Sequence, residues 1–349
     1  MRLNGSTVWD ALGSAPSGSH LRLTVGGVPE SSAGAVRKVI ARATDVEDLC
    51  GQGNQSLTLY AMGVNQWHPA LVAELCSDYG AAIWDQGLTD GKSRCDIFAG
   101  RYRSTPGGIH REPCRNLHLV VHGRKYFYFW DHEALQRSGA YERVVTYPTE
   151  TGDEQYLEAI SSHDIVNSAL EIRATAGCYL HWPNWVWHIA ETPDPCLSVN
   201  IASYGSSSTG AVRALPIVRG DDGEVPAEWV AEYREFNPEF RTSDADAIMS
   251  AVSAGGLTCP RLGADEDARD VIRGCGAASR ATSAPAVWVH HGDRIVVGLA
   301  GQATVIPGNG VQGARWLGSN TARPYAPQTP GDCALLEWLH SIGGVTLLR

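Results

Sequence analysis

The pattern of apolar and polar positions changes twice along the chain, and the middle part is the most regular. Residues 95–204 contain short runs rich in β-branched and aromatic residues, separated by turn-forming sequences at 106–108, 122–123 and 194–195. Many short strands with frequent turns are typical of a β sandwich or a jelly roll. The runs of strand length are DIFAGRY, NLHLVVHG, KYFYFW, ERVVTY, LEIRAT, CYLHW and LSVNIASY.

The part of the chain before this region predicts a mixture of elements. Residues 35–43 have the periodicity of a helix, and the run SLTLY at 56–60 alternates like a strand. Residues 68–79 carry their apolar side chains on one face of a second helix.

The part after Gly220 predicts helices first and then a small α/β region. Residues 225–236 and 243–254 have helical periodicity, and residues 264–274 predict a third helix. Residues 285–349 contain two strand-like pieces around a His-Gly-Asp turn, then a helix that ends at a Gly-Gly pair, and a short final strand. This order of elements resembles the end of a winged-helix domain.

These patterns together predict a mainly β fold with helices, divided into three regions. A β core occupies residues 1–220, a helical region follows at 221–283, and a winged-helix-like domain ends the chain at 284–349. The core is expected to carry the chemistry.

Composition and charge narrow the classes of function. The 349 residues are 43% hydrophobic and 19% charged, as in a folded globular protein, and the net charge of −10 disfavours nucleic-acid binding. There is no apolar run of about 18 residues to span a membrane, and the N-terminus has no apolar core of a secretion signal. The nine cysteines include no CxxC pair, which favours reduced thiols in the cytoplasm over a disulfide framework or a structural zinc site.

Three residues form the candidate metal site. His110 and Glu112 are two positions apart, so on a strand both side chains point to the same face. His188, in the string PNWVWHIAE, is the candidate third ligand from another strand, and Trp185 and Trp187 beside it are expected to line the pocket with aromatic rings. Two imidazoles and one carboxylate leave coordination positions open, as iron(II) oxygenases require. The alternatives are that the pair lies on an ordinary surface strand, or that the ligand is another of the nearby histidines, His118, His122, His132 and His181.

Lys125 is a second candidate functional residue. It lies in a predicted strand among apolar and aromatic neighbours. A lysine in such a place either extends to solvent or pairs with an anion.

Residues 98–204 resemble the JmjC and cupin-like hydroxylases, in which an HxD or HxE motif is followed by an asparagine and then by G-x-K. A distal motif of proline, tryptophans and histidine and a late S-x-N strand complete the pattern. The matching residues are His110, Glu112, Asn116, Gly123, Lys125, Pro183, Trp185, Trp187, His188, Ser198 and Asn200.

The resemblance implies a double-stranded β-helix of the jelly-roll or cupin type that binds iron(II) through His110, Glu112 and His188. It also implies 2-oxoglutarate as co-substrate, with its distal carboxylate at Lys125, and O2 as oxidant. Further contacts to the metal or co-substrate are implied for Asn116, Tyr102, Thr105 and Asn200. Such an enzyme hydroxylates an unactivated C–H bond. Glu112 stands where many of these hydroxylases have aspartate, so the motif leaves the substrate class open.

The order of segments is similar to that of bacterial and nucleolar ribosomal oxygenases, which have a helical dimerisation region and a winged-helix-like end. This resemblance rests on residues 56–80 and on the layout after the core. It implies a homodimer acting on an amino-acid side chain of a peptide or protein; a natural-product precursor is the other substrate class. The alternatives are an N-methyl-lysine demethylase, a metal-binding cupin that is not an oxygenase, and an inactive scaffold.

Overall fold

The computed structural model of the chain describes most of its residues. The described ranges are 3–30, 32–51, 55–105, 108–137, 144–149, 152–157, 166–206, 212–240, 245–259, 277–319 and 321–348. The predicted helix at 264–274 lies outside them.

The helices and strands are numbered in chain order. The helices are α1 Gly5–Gly13, α2 Ala33–Arg42, α3 Val46–Gly51, α4 Pro69–Asp85, α5 His132–Arg137, α6 Ala227–Phe236, α7 Ala245–Ser253, α8 Val311–Gly318 and α9 Pro330–Ser341. The strands are β1 His20–Val25, β2 Val28–Pro29, β3 Leu57–Met62, β4 Leu88–Thr89, β5 Ser93–Tyr102, β6 His110–Arg111, β7 Cys114–His122, β8 Arg124–Trp130, β9 Val144–Thr149, β10 Gly152–Leu157, β11 Leu170–Thr175, β12 Tyr179–Trp182, β13 Trp187–Tyr204, β14 Ala214–Leu215, β15 Ala277–Arg280, β16 Ala286–His291, β17 Arg294–Leu299, β18 Gln302–Pro307 and β19 Val345–Leu348.

The chain divides into two compact units. Met1–Trp67 and Lys92–Arg213 form the first unit, and His68–Gly91 and Ala214–Arg349 form the second. The predicted boundaries after residues 220 and 283 stay predictions.

The 18-residue strand β13 organises the first unit. Its C-terminal half pairs with β5 and β7, and its N-terminal half pairs with β8 and β6, all antiparallel. The register with β5 shifts between Thr192 and Cys196. The predicted turn at 194–195 is therefore wrong, because the chain continues in the same strand through an irregularity. Pro195 fits there, since proline cannot donate to a strand ladder and is tolerated at bulges.

The antiparallel strands of the first unit curl into a half-barrel. One continuous path runs β2-β1-β3-β5-β13-β6-β10-β9, and the pairs β7–β12 and β8–β11 branch from β13. The predicted mainly β fold with helices is confirmed. The runs predicted as strands in the middle of the chain correspond to β5, β7, β8, β9, β11, β12 and β13.

Several elements of the first unit were not predicted, among them β10 and α1. Strand β10 has the sequence GDEQYL, and all but its last residue are half-buried. Without an alternation of apolar and polar residues it lacks the strand signal, and it forms because β6 and β9 pair with it on either side. Helix α1 lies in a Gly- and Ser-rich segment and buries Val8, Trp9 and Leu12.

The second unit has its own core. The meander β16-β17-β18 packs against α7 through a cluster that includes Met249, Val252, Val287 and Val296. The predicted helices at 225–236 and 243–254 correspond to α6, which begins at Ala227, and α7, which ends at Ser253; residues 243–244 are not described. Helix α9 begins with a capping box of Thr329 and Asp332. The winged-helix character of this part stays a prediction.

Helix α4, in the second unit, is longer than predicted. The His68 side chain caps its N-terminus by accepting from the Leu71 amide, and the helix runs to Asp85 rather than ending at Tyr79. No helix of the described residues is long and apolar enough to cross a membrane.

The turn between β7 and β8 allows a stability test. Gly123 has a φ of +76°, and a Cβ there would collide with the carbonyl oxygen of Pro195. Gly27 is the matched control, because its φ is +84° but a Cβ would meet no atom within 4 Å. We expect Gly27→Ala to lower the free energy of unfolding by ~1 kcal/mol, and Gly123→Ala to lower it by ~2 kcal/mol more because of the collision. Equal losses in urea denaturation would contradict the packing of this turn.

Candidate metal centre

Three side chains converge where β6 and β13 pair. His110 begins β6, Glu112 follows that strand directly, and His188 is the second residue of β13. His110 and His188 are direct partners across the two strands, with ring centroids 4.3 Å apart. One ligand atom from each of the three residues lies within 4.8 Å of the others, and His188 Nε2 is 3.8 Å from Glu112 Oε1.

The other nitrogen of each imidazole is already engaged. His110 Nδ1 is 2.9 Å from the carbonyl oxygen of Gly108, and His188 Nδ1 is 2.9 Å from that of Val186. A carbonyl only accepts, so Nδ1 carries a proton in both rings, and Nε2 is the nitrogen of each ring that can bind a metal. Orientation of ligating histidines by such hydrogen bonds is typical of metal sites.

The electrostatics of the three residues suit a cation. Burial lowers the pKa of His188 well below its ordinary value, with a further contribution from His110, so this ring is neutral at pH 7. Burial also raises the pKa of Glu112, while His110 and the hydrogen bond from Asn116 oppose that rise. A bound cation would stabilise the buried carboxylate, and a donor set of two imidazoles and one carboxylate fits iron(II).

The three residues line a cavity of about 830 Å³ in the first unit. The wall also includes Lys125, Asn116, Thr105 and Asn200, four of the five residues predicted to bind the co-substrate. The fifth, Tyr102, is not in the wall, and its ring centroid lies 5.8 Å from Lys125 Nζ. The Tyr102 hydroxyl is buried without a hydrogen-bond partner among the described residues.

Lys125 is buried in this cavity, with 1% of its surface exposed. Its Nζ donates to Ser198 Oγ at 3.1 Å, lies 3.1 Å from His118 Nε2, and stands 4.6 Å from the centroid of the Phe98 ring. Burial lowers the pKa of Lys125 to about 8. Within the described ranges no carboxylate forms an ion pair with it. An ammonium group that is buried and lacks a counter-ion provides a site for an anion.

Two asparagines connect the cavity wall to Glu112. Asn116 Nδ2 donates to Glu112 Oε1 at 2.9 Å, and Asn200 Nδ2 donates to Asn116 Oδ1 at 2.7 Å. Thr105 also lines the cavity, and its amide donates to the carbonyl oxygen of Ala190 at 2.9 Å. The structure thus brings Asn116, Asn200 and Thr105 to the cavity; their roles stay predictions.

The other four candidate histidines do not belong to the cluster of His110, Glu112 and His188. His122 is exposed and pairs with Glu47, while His132 and His181 are exposed. His118 lines the cavity but belongs to no metal cluster of the described residues.

The aromatic wall differs from the one expected at 183–188. Trp185 and Trp187 do not line the cavity. Trp187 neighbours His188 on β13 and points to the opposite face, and Trp185 lies in the turn before this strand. Both rings instead lie beneath the Arg111 guanidinium. The tryptophan that lines the cavity next to His188 is Trp182, whose ring centroid is 5.3 Å from that of His188.

Sequence reasoning missed a polar group in the same cavity. Asp96 is buried and accepts from the Tyr60 hydroxyl at 2.8 Å, the Gly63 amide at 2.8 Å and Arg94 Nε at 2.9 Å. Its position in a run of alternating residues on β5 was the only signal. These hydrogen bonds connect β5 to β3 and to the Gly63 amide that follows β3, and so they stabilise the cavity wall.

Comparisons with known proteins give structural matches only. No protein-family model matches the chain, and no curated protein matches it. The solved structures similar to it include the ribosomal oxygenase YcfD from Escherichia coli with cobalt and succinic acid, at 14% identity and a TM-score of 0.45, covering 98% of this chain and 89% of that one. The same enzyme with cobalt and 2-oxoglutarate has 14% identity, a TM-score of 0.44 and the same coverage. A cupin superfamily protein from Desulfitobacterium hafniense has 11% identity and a TM-score of 0.20, covering 32% of this chain and 68% of that one.

The candidate metal centre leads to a binding test. We expect His110→Ala and His188→Ala each to weaken cobalt(II) binding by more than about 100-fold, because loss of outer-shell partners alone costs 10- to 100-fold. His181→Ala is the matched control and should bind the metal normally, since His181 is an exposed residue of β12. Isothermal titration with cobalt(II) measures the effect. Unchanged affinity in either of the first two variants would rule out that ligand.

Proposed function

We propose that this protein is an iron(II)- and 2-oxoglutarate-dependent oxygenase that hydroxylates an unactivated C–H bond of an amino-acid side chain. The substrate is a peptide, a protein or a natural-product precursor. The observation that carries the proposal is the buried ammonium of Lys125, which shares one cavity with His110, Glu112 and His188 and has no carboxylate partner among the described residues.

The metal and the co-substrate have separate places in this proposal. His110, Glu112 and His188 would hold iron(II), which when bound supplies the redox chemistry for activating O2. Lys125 would bind the distal carboxylate of 2-oxoglutarate, because its ammonium lines the cavity and can donate a charge-assisted hydrogen bond to a carboxylate. The 2-oxo acid end would then face the metal.

The balance of the reaction is that of a coupled oxidation. 2-Oxoglutarate and O2 give succinate and CO2, with one oxygen atom of O2 in the succinate and the other in the new hydroxyl group of the substrate. The protein contributes orientation and the exclusion of water. The cavity of about 830 Å³ can hold the co-substrate together with a substrate side chain.

Lys125 also separates this proposal from a metal-binding cupin that is not an oxygenase. Burying an ammonium that has no counter-ion costs free energy. This cost is the desolvation penalty of one ion, on the order of several kcal/mol. A protein that binds only a metal gains nothing to offset that cost. A homodimer and a cytoplasmic location stay predictions.

Turnover assays test the proposal directly. The iron(II)-loaded protein is incubated with 2-oxoglutarate and with candidate amino acids, peptides and ribosomal proteins. We expect succinate and a mass gain of one oxygen atom on the correct substrate. If the metal-loaded protein neither binds 2-oxoglutarate nor forms succinate, the proposed function is wrong.

A variant of Lys125 tests the co-substrate site. Lys125→Met keeps the length of the side chain and removes its charge, so we expect the Kd for 2-oxoglutarate to rise by about 10- to 100-fold, the range for a lost charge-assisted hydrogen bond. Metal binding should be unaffected. Arg124→Met is the matched control, because Arg124 is exposed and pairs with Asp194. Equal affinities in wild type and Lys125→Met would exclude Lys125 as the anchor.

The lowered pKa of Lys125 gives a pH dependence. With a pKa of about 8, Lys125 is charged below that pH and neutral above it. We therefore expect the affinity for 2-oxoglutarate to be constant below pH 8 and to fall by about tenfold per pH unit above it. Pyruvate, which lacks the distal carboxylate, should bind independently of pH in this window. A 2-oxoglutarate affinity that stays flat to pH 10 would contradict a charged anchor with this pKa.

A further inference from the structure

The turn that leads into β13 contains a backbone conformation that its residue type disfavours. Trp185 has a φ of +63°, in the left-handed region that residues other than glycine rarely adopt. Such a conformation persists only where the surrounding contacts hold it, and it is found most often at functional sites. Trp185 precedes the candidate ligand His188 by less than one strand pleat and a turn, with only Val186 and Trp187 between them.

The backbone around Trp185 contacts two of the three candidate ligands. The Trp185 amide donates to the carbonyl oxygen of Glu112 at 2.9 Å. The next carbonyl oxygen, that of Val186, accepts from His188 Nδ1 at 2.9 Å. Because the torsion angles at Trp185 set the direction of the peptides that follow, the left-handed conformation directs the Val186 carbonyl toward the His188 ring. One residue therefore fixes the backbone at Glu112 and the ring orientation of His188.

The side chain of Trp185 contacts Arg111 on the face of the sheet opposite to the ligands. Arg111 follows His110 in β6, Trp187 precedes His188 in β13, and the two histidines are direct partners. Arg111 and Trp187 therefore lie opposite each other on the other face of these strands. Arg111 Cζ is 4.8 Å from the centroid of the Trp187 ring and 5.6 Å from that of Trp185.

A hydrogen bond holds the Arg111 guanidinium in this position. Arg111 Nε donates to Gln155 Oε1 at 2.7 Å, and the two residues are direct partners across β6 and β10. A guanidinium is attracted to aromatic faces and stacks on them through its plane, which an ammonium cannot do. The contacts of Arg111 thus connect β6, β10, β13 and the turn before β13.

We infer that Arg111 and Trp185 are positioning residues of the metal centre. The stacked guanidinium holds the Trp185 ring and with it the left-handed backbone, and this backbone orients Glu112 and His188. Neither Arg111 nor Trp185 lines the cavity, so both act through other residues. The inference rests on the proposed function, because it assigns a metal to Glu112, His188 and His110.

Replacement of Arg111 tests this link. Arg111→Met keeps much of the length of the side chain but removes its plane and its charge. Arg173→Met is the matched control, because Arg173 Cζ lies 5.3 Å from the centroid of the Tyr126 ring and both residues belong to strands without a candidate metal ligand, β11 and β8. Each protein is titrated with cobalt(II), and the visible absorption spectrum of the bound cobalt reports the arrangement of its ligands.

The expected result separates positioning from charge. For Arg111→Met we expect the Kd for cobalt(II) to rise by about 10-fold, the lower end of the effect of losing an outer-shell partner. The absorption bands of the bound cobalt should change in position and intensity, whereas Arg173→Met should match wild type in affinity and spectrum. Loss of a positive charge near the site would by itself strengthen the binding of a cation. Weaker binding therefore requires that the ligands have lost their arrangement.

A second variant tests whether Arg111 acts through Trp185. Trp185→Gly removes the ring, while glycine adopts a positive φ without steric cost. We expect this variant also to bind cobalt(II) about 10-fold more weakly, because nothing then holds the turn. Adding Arg111→Met to Trp185→Gly should raise the Kd by less than about threefold, because residues in contact that act together are not additive. Full additivity of the two losses would contradict this route.

Each contrary outcome has a distinct meaning. If Arg111→Met binds cobalt(II) as tightly as wild type, the inference is wrong and the proposed function stands. Weaker binding with the wild-type spectrum, or an equal loss in Arg173→Met, would show a general structural effect and also overturn the inference. If wild type binds no cobalt(II), both proposals fail. Should Arg111→Met not fold, Trp185→Gly decides the question, and wild-type affinity and spectrum in that variant would overturn the inference.

Discussion

The backbone pairing of β13 determines where the polar groups of the first unit lie. One half of this strand pairs with β6 and β8, which places His188 beside His110. The other half pairs with β5 and β7, which places Asn200 beside His118. The irregularity between Thr192 and Cys196 separates the two halves. A single strand therefore supplies the candidate metal ligand His188 in one half and, in the other half, Asn200, which donates to Asn116.

The energetic constraint on this arrangement is the burial of charge. Lys125 and Glu112 both lie in the wall of one cavity, and burial works against the charged form of each. A cation at the three candidate ligands would stabilise Glu112, and a carboxylate at Lys125 would stabilise the ammonium. A 2-oxoglutarate-dependent oxygenase requires these same two occupants, a metal ion and a carboxylate. Their binding would therefore both offset the cost of burying the two charges and allow the proposed chemistry.

Much of the fold and of the candidate site could be predicted from the sequence, because the signals were local. Alternating apolar runs indicated β5, β7, β8, β11 and β12, and the spacing of His110 and Glu112 indicated a shared face. Two features depended on tertiary contacts instead. Strand β10 has no alternation and forms by pairing with β6 and β9, and the contact of His118 Nε2 with Lys125 Nζ joins residues of two strands. The expected lining by Trp185 and Trp187 was wrong, because Trp187 faces the side of β13 opposite to His188 and Trp185 lies in the turn before it.

The central claim is that one cavity holds both a metal ion and a 2-oxo acid. Absorption spectroscopy of the iron(II)-loaded protein without oxygen tests it most directly, because a 2-oxo acid that chelates iron(II) produces a charge-transfer band. We expect this band to appear when 2-oxoglutarate is added to wild type and to be missing in His188→Ala. If wild-type protein shown to contain iron(II) gives no band with 2-oxoglutarate, the shared site is contradicted.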